Sequence, residues 1–218
     1  MKKIFARISE IYRQDGLIEV PFRALKKCGR CIFYTNSAFW LERDLSLPIP
    51  AVKPRIPVEL NLFAKEESIK WFKAQKESWI YNPREIKVAL HENHIFPNIK
   101  YKGEIVGYVK AGRDEVYIED YRKVIRLPKN VGFCYDYFIA PDFRGKNLSL
   151  YMNVEVMKFA KRLGIKKIVV HIPPWNTPSI KVSQRLGFKK FKYVRHFRIL
   201  GVIKFEVCLW QEKADAES

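Results

Sequence analysis

No apolar run in this 218-residue chain approaches the roughly 18 residues that a membrane-spanning helix needs, so no membrane span is expected. Nor is there a clean leader. The first ten residues, Met1 to Glu10, have a basic tip, but Arg7 and Glu10 interrupt the apolar stretch that a signal peptide requires, which points to a cytoplasmic protein. Cysteine is scarce: Cys28, Cys31, Cys134 and Cys208 are too few and too scattered for a disulfide framework. Cys28 and Cys31 have redox or zinc spacing. No second Cys or Cys/His pair follows, however, and His91 and His94 would complete a site only by accident of the fold, so no metal is expected and the cysteines read as packing residues. Acid is short as well. Against 41 Lys and Arg there are 23 Asp and Glu, a formal charge of +18 whose mean field attracts nucleic acid, anionic head groups or a polyphosphate cofactor alike. The basic residues are spread through the chain and no basic tail stands apart, so the charge alone weighs lightly for nucleic acid.

What is present is a core. A hydrophobic fraction of 48% with 14% aromatics lies far from the composition of disorder, and the length suits one generous domain or one domain with an appendage. Ile4, Ile8, Ile11 and Tyr12 sit at helical spacing before Gly16, which predicts a helix over 3–14. Residues 31–43 read as a hairpin turning at Thr35-Asn36-Ser37. Pro48, Pro50, Pro54 and Pro57 then forbid regular structure, and this stretch reads as a linker.

From Val58 onward strands and helices alternate. We expect a strand at 58–62, a helix near 66–76, and another opening at Asn82-Pro83, where Asn caps and Pro takes the first turn. A hairpin about Lys102-Gly103 and two short extended runs within 114–127 follow, then the strongest strand signal, residues 132–139, ending at Pro141. Leu148, Tyr151, Met152, Val156, Phe159, Ala160 and Leu163 form one helical stripe stopped by Gly164. A strand at 166–172, a helix at 177–186 and strands at about 188–195 and 197–210 complete the chain.

A strand that passes through Pro141-Asp142-Phe143-Arg144-Gly145-Lys146-Asn147 into a long helix aims free backbone amides and the positive end of the helix dipole at one point, which favours an anion. Arg144 and Lys146 add fixed charge, and Ser149 either caps the helix or offers its hydroxyl to a phosphate oxygen. An ordinary basic loop before an amphipathic helix would look the same.

The segment Ile139 to Ser149, with Arg144-Gly145-Lys146-Asn147 at its centre, followed by Asn176-Thr177-Pro178-Ser179, Ser183 and Arg185-Leu186-Gly187-Phe188, resembles the two cofactor motifs of the GNAT superfamily of acyl-CoA-dependent N-acyltransferases. The resemblance covers 131–188 by motif, 58–130 by element order, and 1–57 not at all. It implies an α/β fold with a central mixed, mostly antiparallel sheet flanked by helices and opened at the strand ending in Ile139. It also implies acetyl-CoA or another acyl-CoA as co-substrate. The main chain of Phe138 and Ile139 would pair with the pantetheine arm. Residues Arg144, Gly145, Lys146, Asn147, Leu148 and Ser149 would hold the pyrophosphate, with Asn176 and Ser179 facing the cofactor.

Asn147 and Ser149 stand where the family loop has Gly and then Gly or Ala. Asn is the non-glycine residue that best tolerates a left-handed backbone. Ser183 stands where the family most often has the Tyr that protonates the departing thiolate, and a serine hydroxyl is a far poorer acid than a phenol. Tyr193 and Tyr137 are the alternatives. For the base, Asp136 is best placed: strand alternation sets it with Phe138 on one face and Tyr135, Tyr137 and Ile139 on the other, among aromatic rings that would raise its pKa; the alternative is that it pairs with one of the many Lys or Arg residues. His171 competes, with Glu104 and His94 as outside candidates.

The expected organisation is an N-terminal extension over 1–57 (helix, hairpin, Pro-rich linker), the acyltransferase domain over 58–210 and a polar tail over 211–218. The expected reaction is acyl transfer, acetyl first, from acyl-CoA to an amine of a small molecule or protein. Three alternatives stay open: a GNAT-like module without catalysis, a basic nucleic-acid-binding protein, and an enzyme that takes a donor such as aminoacyl-tRNA. The long apolar strand over 202–210 could pair across a homodimer.

Overall fold

The computed structural model describes residues 33–75, 80–91, 93–119, 121–200 and 202–212. The helix expected over 3–14, the Cys28/Cys31 pair and the end of the polar tail lie outside the described residues. The chain divides into a larger unit, Ala38–Val194 with Cys208–Ser218, and a smaller one, Met1–Ser37 with Arg195–Val207. In the smaller unit the rings of Phe33 and Phe197 lie 6.1 Å apart, Phe197 stacks on Phe205 at 4.9 Å, and the Arg198 guanidinium covers Tyr34 at 4.5 Å.

In chain order the elements are β1 (Phe33–Asp44), β2 (Glu59–Asn61), α1 (Lys65–Ala74), α2 (Pro83–His91), β3 (Asn98–Tyr101), β4 (Glu104–Gly112), β5 (Glu115–Ile118), β6 (Lys123–Arg126), β7 (Val131–Ile139), α3 (Leu148–Arg162), β8 (Lys167–Ile172), α4 (Thr177–Arg185), β9 (Lys189–Ile199) and β10 (Ile203–Gln211). The main sheet has the order β10-β9-β1-β8-β7-β4-β3-β2, and β5 pairs with β6 in a separate ribbon. β7 and β8 run parallel, whereas the β1/β8, β2/β3, β3/β4 and β4/β7 pairs are antiparallel. This is the mixed, largely antiparallel sheet, flanked by helices, that the resemblance implies.

Neighbouring residues of β4 divide the core. Val109 points into the layer under α3, with Leu148, Met152 and Val156, while Tyr108 points the other way, into Phe72, Ile69, Ile86 and Ala89 of α1 and α2. α3 covers its face with six buried apolar residues, and completely burying one such side chain contributes about 1.5–3 kcal/mol. The turn between β3 and β4 uses Lys102 (φ 52°) and Gly103 (φ 84°), two successive left-handed residues that suit the twist of a tight hairpin.

Three readings of the sequence need correction. The hairpin expected over 31–43 is, from the first described residue Phe33 onward, one continuous strand: Asn36 Oδ1 accepts from Ser37 N (2.9 Å) without reversing the chain, and Phe39–Asp44 pair along β8. A non-local ladder outweighs the turn preference of a few small polar residues. The break near 196 lies further on, at Leu200 (φ 51°), so β9 reaches Ile199. The proline-rich stretch is irregular as expected, yet it is no free linker: Ile49 and Val52 pack on one core cluster and Ile56 and Val58 on the next.

Candidate active site

The site begins where two parallel strands part. β7 and β8 pair only from Val131↔Lys167 to Cys134↔Val170, after which β7 continues to Ile139 without its neighbour. A β-bulge starts the divergence. Between Lys110↔Asp136 and Ala111↔Cys134 the register shifts, leaving Tyr135 as an extra residue. The expected alternation therefore fails at one position: Tyr135 packs with Phe138 against the α1/α2 cluster, while Tyr137 packs under α3 with Ile139.

Beyond the bulge, Ala140 N donates to Val106 O (2.8 Å). By the alternation of an antiparallel ladder, the peptide groups of Phe138 then face β4, and those of Tyr137 and Ile139 face the opening. Of the two residues expected to offer main chain there, Ile139 does so. Phe138 instead stacks its ring on Tyr108 (5.7 Å) while lining the cavity. The Ile139 carbonyl accepts from Arg144 Nε (3.1 Å), and Tyr137 N donates to Asp136 Oδ1 (2.8 Å).

Two cavities fill the gap. The outer one, about 770 Å³, is lined by Asp136, Tyr137, Phe138, Ile139, Arg144, Gly145, Asn147, Leu148 and Ser149 on one side and by Trp175, Asn176, Ser179, Val182 and Arg185 on the other. The loop that closes it follows β7 directly: after Ile139 the chain makes a short 3-10 turn over Pro141–Phe143 before the two left-handed residues Gly145 (φ 76°) and Asn147 (φ 61°). A Cβ built on Gly145 would meet no atom within 4 Å, so the left-handed backbone and not crowding is what favours glycine here. Asn147 takes the left-handed conformation anticipated for it and occupies the N-cap of α3 without a side-chain cap bond. Ser149 lies inside the helix and is not its cap.

The first-turn amides of α3 have no helical acceptor, and with the helix dipole they direct positive potential at the cavity. Lys146 is absent from the cavity wall: its ammonium donates to Asp142 O (2.6 Å) and covers the Phe143 ring at 4.9 Å. The proline-rich stretch braces this loop, since Arg55 N donates to Lys146 O (3.0 Å) and Arg55 Nη1 to Gly145 O (3.4 Å). Across the gap, Asn176 caps α4 by accepting from Ser179 N (3.3 Å).

The inner cavity, about 230 Å³, reaches the point where β7 and β8 rejoin. Asp136, His171 and Ser183 all line it. His171 lies against a ring cluster of Tyr121 (5.6 Å), Trp40 (6.0 Å) and Phe133 (6.2 Å). Tyr193 lines neither cavity; its ring packs on Phe39 at 4.6 Å. Tyr137 lines both, with its hydroxyl donating to Ser149 O (2.7 Å) and its pKa raised by burial. Burial likewise pushes the Cys134 thiol up to about 12. Glu104 is exposed at the start of β4. His94 is buried away from both cavities: desolvation lowers its pKa, which keeps the ring neutral, with Nε2 against Glu115 O (2.7 Å) and Nδ1 against Tyr135 Oη (2.9 Å).

Asp136 does pair with a basic residue, the alternative that the sequence left open, but sequence reasoning identified neither the partner nor the buried ion network behind it. Lys110 Nζ donates to Ile80 O (2.8 Å) and Glu85 Oε1 (2.7 Å) and pairs with Asp136 Oδ2 (2.9 Å), so all three ammonium protons have acceptors. Tyr108 Oη adds a bond to the same Asp136 oxygen (3.0 Å). Burial pushes the Glu85 carboxyl up to about 7 against the opposing pull of Lys110, whose own pKa the two carboxylates raise against desolvation. The available signal was a lone lysine in the otherwise uncharged run Ile105–Gly112.

A sequence model of the "Acetyltransferase (GNAT) family" matches residues 60–188, more than half of the chain. The chain belongs to the GNAT family. Solved structures agree on the fold. A GCN5-related N-acetyltransferase from Sphaerobacter thermophilus superposes with a TM-score of 0.57 at 16% identity, covering 81% of this chain and 56% of that one. A tandem GNAT protein from the clavulanic acid biosynthesis pathway gives 0.54 at 13%, covering 77% and 55%. A Drosophila protein gives 0.54 at 10%, covering 82% and 57%. This GNAT chain thus spans little more than half the length of those structures. No curated protein matches its sequence. Among the described residues, no helix is long and apolar enough to cross a membrane, and no group of three His, Cys, Asp or Glu side chains could hold a metal ion.

Proposed function

We propose that this GNAT protein is an acyl-CoA-dependent N-acyltransferase, acting on an amine by direct attack. One observation carries the reading: β7 outruns β8, and the gap is a cavity ending at the left-handed Gly145–Asn147 turn and the N-terminus of α3. The donor set suits a diphosphate with an extended arm, because Arg144, Arg185 and the α3 amides supply positive potential and the outward peptide groups of Ile139 supply strand-like pairing. The acyl-CoA co-substrate supplies an activated thioester. Residues 58–210 form the catalytic domain in this reading, with β1 adding to its sheet.

In the reaction, an amine lone pair attacks the thioester carbonyl, the C–N bond forms, the C–S bond breaks, and the proton lost by nitrogen balances the one taken by the departing sulfur. Asp136 and His171 line the inner cavity and can take a proton. We assign this role to Asp136, which stands at the junction of both cavities.

Calorimetric titration with acetyl-CoA tests the reading, beside Arg144→Glu and Arg185→Glu variants checked for folding by thermal melting. Saturable binding lost in both variants is expected, and absence of binding by the wild type would overturn it. Turnover on an amine panel then separates Asp136→Asn from His171→Gln: loss of about 100-fold or more in kcat is expected for the former alone.

A further inference from the structure

Two cavities with one shared wall imply a direction. The inner and outer cavities have Asp136, Tyr137, Ser149, Asn176, Ser179 and Val182 in common, so they are successive parts of one cleft. In the acyl-CoA reading above, on which this inference rests, the diphosphate end lies at residues 144–149 and the arm follows the open edge of β7 from Ile139 toward Tyr137. Continuing that line leads past Asp136 into the inner cavity, whose floor is the last β7–β8 pair, Cys134↔Val170. Whatever the thioester carries extends there.

The inner cavity is too large for an acetyl group alone. At about 30 Å³ per water, its 230 Å³ corresponds to roughly seven or eight waters. Its wall is partly apolar, through Cys134, Val170, Ile172 and Val182, and no Lys or Arg lines it. Ser183, 9% exposed on the buried side of α4, contributes one of the smallest side chains available at the position facing this space.

We propose that the inner cavity is an acyl-chain site, and that the preferred donor carries a neutral acyl group of about four to six carbons in place of acetyl. Val182 and Ser183 on α4 and Val170 on β8 set the length. The donor is recognised by apolar burial, not by charge.

The test is calorimetric affinity for coenzyme A, acetyl-CoA, butyryl-CoA and hexanoyl-CoA, measured on the wild type and on Ser183→Tyr and Val170→Phe, each checked by thermal melting. Burial gives about a fourfold gain per methylene, so butyryl-CoA, with two more, should bind the wild type at least tenfold and about 16-fold more tightly than acetyl-CoA. In either folded variant that ratio should fall toward one. Equal wild-type affinities for the acetyl and butyryl thioesters, or a tenfold ratio surviving in both variants, would overturn the acyl site while leaving the enzyme reading intact. Failure of coenzyme A itself to bind would remove both.

Discussion

Lys110 and Asp136 stand opposite each other in the β4–β7 ladder, and their charged atoms are 2.9 Å apart with the lysine 1% exposed. The pair fixes the carboxylate of the residue that follows the bulge, the point from which β7 and β8 diverge. The second buried acid on the same ammonium, Glu85, ties α2 to that point.

Removing the ammonium should therefore cost far more than a surface ion pair would. Lys110→Met leaves two interior carboxylates without their cation, and a loss of about 3–5 kcal/mol in unfolding free energy is expected by urea titration. Adding Glu85→Gln to that variant should recover part of the loss. A change under about 1 kcal/mol for Lys110→Met would show that the network contributes little.

Glu85 also makes stability depend on pH. Its carboxyl titrates near 7 in the folded chain against an ordinary 4.5, so folding favours the protonated form. That contribution is complete below about 4.5 and is lost as the pH rises to 7, by on the order of 3 kcal/mol. The urea midpoint of the wild type should fall across this window relative to that of Glu85→Gln. Parallel midpoints would contradict the assignment.

Asn147 tests the loop. Asn147→Gly keeps the left-handed backbone at no steric cost and should leave stability within about 0.5 kcal/mol, whereas Asn147→Val should lose about 1–2 kcal/mol. Both are read by thermal or urea unfolding. The valine variant should also bind acetyl-CoA more weakly, because its loop no longer holds the same amide directions.

Gly112 tests the neutral histidine. A Cβ there would fall 2.5 Å from the His94 ring, whose two nitrogens are already fixed by Tyr135 and Glu115. Gly112→Ala should destabilise by about 1–3 kcal/mol, as overpacking does. Gly132→Ala is the control, since a Cβ there meets ordinary contacts at 3.6 Å.

The parts of the site written in local pattern were legible beforehand. The strand to Ile139, the loop and the left-handed Asn147 each follow from neighbours in sequence. What escaped depends on residues far apart along the chain. The bulge that turns Tyr135 away from Tyr137 exists only through the register of β4 against β7. The Lys110 network joins α2, β4 and β7, and no periodicity encodes such a meeting. The hairpin misread at 35–37 has the same origin, because pairing with β8 decided what a short polar run could not.

Arg55 gives the proline-rich stretch a consequence of its own. Four prolines ordinarily mark a spacer that tolerates insertions, yet here the stretch grips the carbonyls of Gly145 and Lys146 while its apolar residues are anchored on two core clusters. It behaves as a splint cut to length. Residues added or deleted between Pro48 and Pro57 would loosen the left-handed Gly145–Asn147 turn from behind without touching any group that faces the cleft.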